Sequence, residues 1–386
     1  MKEKLIKTRE NYNIELIRIL ACLLVIGAHY CMNHRVEADG VSINMHTVLI
    51  DSFTHSCPQA FFMITGFFMF DKEKEVKQII KYVFSKILLP TYLLIFLGNI
   101  LNDFVMGKAT IIQCLFELRI DWSNLIHTIL NWANSGTNSF HLWYMFSLAQ
   151  VYLLYPILKL FCKDDEKSNV IRRYVLVLSI LSLSVKPTID AILGKSFIFI
   201  PYVFMAWPVM FVLLGYETKL LYYRCIEDKQ GKGIFWLIGS ILFAGGCLLT
   251  YALSRYVDIG NNGEYSQIFL ELYMVGQFIA TIGLVLFGLS IHIPRGKIAK
   301  GIQYIGSKTF VAYLVHVLVQ RRMITLGFED MIAGFVRNDY LQALICVSGY
   351  FAVSILLAII WDKTKRLYVI LTSNKQEQKV AIEANS

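Results

Sequence analysis

The sequence predicts an all-α integral membrane protein of about ten transmembrane helices, with both termini in the cytoplasm. Three observations predict it. Hydrophobic residues make up 56% of the 386 residues and charged residues 17%, against about 45–50% and about 25% in ordinary soluble domains. The apolar residues fall in blocks of about 20, the length that crosses a ~30 Å hydrocarbon layer as a helix. Lys and Arg are dense in every second connection, as the positive-inside rule requires. This pattern excludes a single soluble domain, a disordered chain and a disulfide-stapled module. It also excludes an outer-membrane barrel, whose strands would be alternating segments of about ten residues.

The blocks run over 12–33, 47–70, 78–103, 140–161, 170–186, 198–217, 234–253, 267–290, 303–323 and 339–361. With the N-terminus inside, the inner segments carry 24 Lys and Arg and the outer segments 9, counting Arg321 and Arg322. An odd number of spans would break this alternation. The blocks define one membrane domain over 10–365, followed by a polar cytoplasmic tail over 366–386. The net charge of +9 then belongs to the inner membrane surface, and no nucleic acid is expected. None of the eight cysteines forms a C-x-x-C pair and most lie in apolar runs, so they read as small buried apolar residues. The basic start leads into a retained first helix, without a small-residue cleavage site. The longest outer segment, 104–139, contains Trp122 and Trp132 and reads as an interfacial loop or a cover over a site.

Ionisable residues inside a bilayer are costly, so each one is a candidate for function. The first block, NIELIRILACLLVIGAHY, carries Glu15, Arg18 and His29. Eleven positions separate Arg18 from His29, which is three helical turns and roughly 20°, so both lie on one face about 16 Å apart. Glu15 is one turn before Arg18 and can pair with it. The pair reads as the wall of one passage open to the cytosol, or else as a snorkelling arginine and a packing histidine. In the second block, Thr65-Gly66 interrupts an aromatic run, where a helix or a ligand can approach closely. Lys81 and Lys86 stand at the inner end of the third block, before Pro90. They suit either membrane anchoring or a rim for phosphates. His141 and Trp143 open the fourth block at the outer interface, and His316 lies midway along the ninth. With His29, these histidines invite a shared polar cavity. Their spacing is not that of a metal site.

Five segments, taken in order, resemble the family-3 integral-membrane acyltransferases, the O-acyltransferases of bacteria. They are the Glu15-x-x-Arg18 start, the Arg-x10-His spacing of Arg18 and His29, FFMITGF at 61–67, HLWYM…YLLYP at 141–156 and GSKTFVAYLVH at 306–316. The resemblance covers about 10–365. It implies a multi-pass protein of the bacterial cytoplasmic membrane that moves an acyl group, usually acetyl, from cytoplasmic acyl-CoA to a hydroxyl of a cell-surface or lipid-linked glycan. His29 matches the family's first-helix histidine and Arg18 its paired arginine. Lys86 and Lys81 stand where many members carry an R-x-x-R cluster linked to CoA. Lysine there keeps the charge but loses the bidentate fork.

The expected catalytic residues are His29, as general base on the acceptor hydroxyl, and Arg18; Arg18, Lys81 and Lys86 are expected to bind acyl-CoA, no metal is expected, and direct transfer and a covalent acyl-histidine both stay open. Glu15, Thr65, His141, Trp143 and His316 are expected to line the site, with His316 or Thr65 as oxyanion donor. The alternative is a polytopic transporter or flippase for a glycan precursor or small solute, since polar residues on helix faces also suit a substrate path. Glycan-assembly partners and self-association stay open at this point.

Overall fold

The computed structural model describes residues 2–36, 42–71, 73–117, 120, 122–123, 126, 139–163, 165–196, 206–226, 229–260 and 265–383. Of 2–11, 226, 229–230 and 367–383 it describes the backbone alone. Trp132 and residues 198–205 of the sixth block lie outside the described residues. The described elements are helical, apart from one antiparallel bridge between Val36 and Ile43.

Helix α1 is Lys2–Met32, α2 Met45–Thr54 and α3 Cys57–Met69. Helix α4 is Val76–Ile100, α5 Phe140–Leu153, α6 Tyr155–Phe161 and α7 Glu166–Leu193. Helix α8 is Trp207–Ile226 and α9 Gly231–Ile259. Helix α10 is Val275–Ser290, α11 Lys297–Gly306, α12 Thr309–Thr325, α13 Phe328–Phe335 and α14 Asp339–Glu383.

Among the described residues six helices are long and apolar enough to cross a membrane, or eight if each of two bent pairs is one span. The pair α5 and α6 bends by 62°, because Pro156 has no N–H to give the preceding turn. The pair α11 and α12 bends by 59° at Ser307-Lys308. The predicted blocks at 47–70 and 198–217 are helical where described, yet neither forms one long apolar helix. The first is broken between α2 and α3 around His55. In the second, α8 carries Glu217, Lys219 and Arg224 within its last ten residues. The last helix runs without a break past Arg366 into the polar tail.

Three helices contain a π-helical turn: Val83–Leu88 in α4, Leu181–Val185 in α7 and Ser254–Ile259 in α9. The first two immediately precede Pro90 and Pro187. A proline ring collides with the carbonyl four residues back, and the wider turn makes room for it.

Helix α1 lies at the centre and touches α2, α3, α10, α11, α12 and α14. Its Ile14, Ile17, Ala21 and Val25 are buried in the main core with Phe62, Met63 and Phe67 of α3. Helices α3 and α8 approach through small residues. A Cβ at Gly66 would overlap the Val212 carbonyl, and one at Gly215 would overlap the Met63 carbonyl. The gap in the aromatic run at Thr65-Gly66 is therefore filled by a neighbouring helix. In the first turns of α7, Arg172 is fully buried and paired with Glu217 of α8 at 2.7 Å. All eight cysteines are free, and seven are buried.

Candidate active site

Helix α1 presents Arg18 and His29 to two different cavities. The first has a volume of about 440 Å³ and is lined by His29, His55, His141, Trp143 and Trp207, by Gln267 and Glu271, and by Tyr313 among others. The second, of about 270 Å³, is lined by Arg18, Phe61, Thr65, Tyr144, Leu148, Phe310 and Tyr313 among others. Tyr313 lines both. The single passage expected along α1 is thus divided, and the tyrosine ring is the shared wall. It is held by Tyr144 and Phe61, whose ring centres lie 5.5 and 6.3 Å away.

Three histidines from three helices meet at the first cavity. The rings of His29 and His316 stack with centres 5.0 Å apart and planes 28° apart. His141 stands edge-on to His316 at 4.9 Å and lies 6.3 Å from His29. Two hydrogen bonds staple the start of α5 to α12. His141 Nε2 donates to the Leu314 carbonyl at 3.1 Å, and the Tyr313 hydroxyl donates to the His141 carbonyl at 2.5 Å.

The partners fix the tautomers, because carbonyl and thioether groups only accept. His141 carries its hydrogen on Nε2. His316 Nδ1 donates to the Tyr313 carbonyl at 2.5 Å, so its hydrogen is on Nδ1. His141 Nδ1 and His316 Nε2 are then bare lone pairs, both buried and without a partner among the described residues. His29 Nδ1 lies 3.3 Å from the Met32 sulfur, which leaves Nε2 as its basic nitrogen. In their neutral form the three imidazoles would offer lone pairs to a proton or to a hydrogen-bond donor.

The second cavity is cationic on one side. Arg18 is about one-third exposed and pairs with Glu15 at 2.5 Å. Glu15 itself packs against Gly306, where a side chain would collide with it. The pairing leaves the guanidinium at the cavity wall, with nitrogens to spare for an anionic or carbonyl group.

Of the residues singled out in the sequence, His29, His141 and Trp143 share the first cavity, and His316 stacks beneath it on His29. Arg18 and Thr65 share the second. Lys81 and Lys86 are exposed on α4 and line neither cavity. Thr65 and His316, expected to donate to an oxyanion, have their donors committed. The Thr65 hydroxyl donates to the Phe61 carbonyl at 2.9 Å, and His316 to Tyr313 as above. Among the described residues no group of three His, Cys, Asp or Glu is placed to hold a metal ion. Tyr313, Trp207 and His55 were not singled out. Tyr313 lies within 306–316 but reads in the sequence as one more core aromatic, and His55 lies at a helix break that hydropathy conceals.

The family model described as "Acyltransferase domain" matches residues 11–361. The chain belongs to the family-3 acyltransferases. This acyltransferase is a multi-pass membrane protein, and the family match spans both cavities and all the helices that build them. No curated protein and no solved structure matches it.

Proposed function

We propose that this acyltransferase transfers an acyl group, acetyl first among them, from cytoplasmic acyl-CoA to a hydroxyl of a cell-surface or lipid-linked glycan. In this reading the protein has ten spans and both termini inside, in the bacterial cytoplasmic membrane. The 24-to-9 excess of Lys and Arg in the inner segments supports that orientation. It puts Arg18 toward the cytoplasm and His29 toward the outer face, since they lie one behind the other on α1.

The observation that carries the reading is the meeting of the two cavities at Tyr313, with a guanidinium in one and a set of neutral imidazoles in the other. A donor entering past Arg18 and an acceptor entering past His29 would meet at this wall. Lys81 and Lys86, exposed at the inner end of α4, suit the phosphates of CoA. Displacement of the Tyr313 ring would let the thioester reach His29.

The chemistry is a direct transfer. His29 Nε2 takes the proton of the acceptor hydroxyl as its oxygen bonds to the thioester carbon. The C–S bond then breaks, and the CoA thiolate takes the proton back from His29 as it leaves. Neutral imidazole is the form this role needs.

The test uses purified protein in nanodiscs with labelled acetyl-CoA. Wild type should bind acetyl-CoA and transfer label, and His29→Ala should bind it but lose transfer. Transport of an intact solute without acyl transfer would replace this reading with that of a transporter.

A further inference from the structure

One wall of the first cavity is held rigid by two buried aspartates that do not themselves line it. Asp51 of α2 is fully buried. Arg35 Nε donates to its Oδ2 at 3.0 Å. On its other side, His55 Nδ1 lies 3.0 Å from Asp51 Oδ1 and 3.1 Å from the Asp51 carbonyl. His55 is thereby fixed at the helix break with Nδ1 engaged, and Nε2 is the nitrogen left for the cavity. Asp258, 2% exposed, does the same for the facing segment. Its carboxylate accepts from the Ser266 hydroxyl at 2.6 Å and from the Gln267 backbone N–H at 3.1 Å.

Gln267 has φ of +65° and is the sole non-glycine residue with positive φ among the described residues. That conformation is unfavourable for an L residue and persists only where the surroundings enforce it. Asp258 enforces it here, and the outcome is that Ser266 and Gln267 both line the first cavity.

The chemistry of this wall is one-sided. The Glu271 carboxylate accepts hydrogen bonds, His141 Nδ1 has no partner among the described residues, and His55 Nε2 is an acceptor in the neutral form of the ring. No Lys or Arg lines the cavity among the described residues, since Arg35 is spent on Asp51. An anionic group would meet Glu271 and find no counter-charge. A ligand with several hydroxyl donors would find a partner for each, and Trp143 and Trp207 offer its apolar face a surface.

We propose that His55, Ser266 and Gln267 form the subsite that selects the acyl acceptor, and that the acceptor there is a neutral, hydroxyl-rich ring such as an uncharged sugar. His55 accepts a hydrogen bond from a hydroxyl next to the one that reacts, and Gln267 reads a second. Asp51 and Asp258 are positioning residues. This inference rests on the acyl-transfer reading above.

The experiment compares three acceptor probes with acetyl-CoA and the protein in nanodiscs: octyl β-D-glucoside, its anionic counterpart octyl β-D-glucuronide, and hydroxylamine, which needs no sugar subsite. Wild type should favour the glucoside over the glucuronide at least tenfold. His55→Ala and Gln267→Ala should each raise KM for the glucoside at least tenfold with kcat within threefold. The ratio of glucoside to hydroxylamine transfer should fall by the same tenfold. Asp51→Asn should reproduce the His55 effect if it folds, and Gln267→Gly, which relieves the backbone, keeps the test open if it does not. Preference for the glucuronide overturns the proposal. So does hydroxylamine transfer without transfer to either glycoside, or an equal loss with glucoside and hydroxylamine in the variants. Absence of transfer even to hydroxylamine in wild type would instead defeat the acyl-transfer reading itself.

Discussion

His316 lies flat against His29, ring centres 5.0 Å apart, with its hydrogen held on the Tyr313 carbonyl and a bare nitrogen on the other side. The contact fixes the ring that the proposed chemistry uses as a base. His316→Leu fills much of the same space and removes the flat ring that packs on His29. Transfer should drop by at least about tenfold, toward the ~10²-fold lower end of acid–base effects. The thermal midpoint should stay close to that of wild type. Labelled acetyl transfer and a melting curve on the same sample check both halves.

Tyr313 is the other side chain on which the geometry turns. Tyr313→Ala should join the two cavities and admit water to the thioester, so acetyl-CoA hydrolysis without acceptor should rise. Tyr313→Phe keeps the wall and loses only the bond to the His141 carbonyl, so hydrolysis should stay low. Release of free CoA, followed with a thiol reagent, separates the two.

The close crossing of α3 and α8 gives a prediction about stability alone. Gly66→Ala drives a methyl group into the Val212 backbone, which no side-chain rotation relieves. The cost should be about 1–3 kcal/mol or more, as for other overpacked interiors. Thermal unfolding in detergent should show a lower midpoint, and Gly301→Ala, where nothing lies within 4 Å, should not.

A pH effect is expected beyond the end of α1. His34 Nε2 lies 3.4 Å from Glu329 Oε2, and Nδ1 donates to the Tyr30 carbonyl at 2.9 Å. Burial lowers its pKa, but the Glu329 carboxylate and the Tyr30 carbonyl outweigh burial and hold it above the ordinary 6.5. A raised pKa means that the stabilisation is fully present below pH 6.5 and is lost as pH rises through the higher folded value. The pair is partly exposed, so the effect should be under about 1 kcal/mol. Melting curves across pH 5.5–8.5 should show a shallow decline that Glu329→Gln removes.

Much of this was legible in the residues. The co-facial Arg18 and His29 followed from helical spacing, and the gathering of His29, His141 and His316 followed from the expense of ionisable groups in lipid. The split between two cavities was not legible, because Tyr313 differs from any packed tyrosine only by what lies on its two faces. The dyad of Asp51 and His55 was hidden for another reason. Hydropathy merges α2 and α3 into one block, and the break that turns His55 into the cavity carries no Gly and places its proline after the turn. Charge counting also has a limit. Arg172 reads as one of the charges of a connecting segment, whereas it is fully buried on Glu217, because a count of charges does not show the partner.

The π-helical turns have a consequence for how the chain tolerates insertion and deletion. Each holds one more residue than a regular turn, so removing a single residue there can restore ordinary helix with the residues beyond it still in phase, whereas a deletion in the regular helix before the turn would swing everything beyond it by about 100°. In α4 such a deletion would carry the buried Thr91 and Ile95 round toward lipid. Within these helices the three π-turns are therefore the places that best absorb the loss of one residue, and elsewhere in them length is constrained by the faces it keeps in phase.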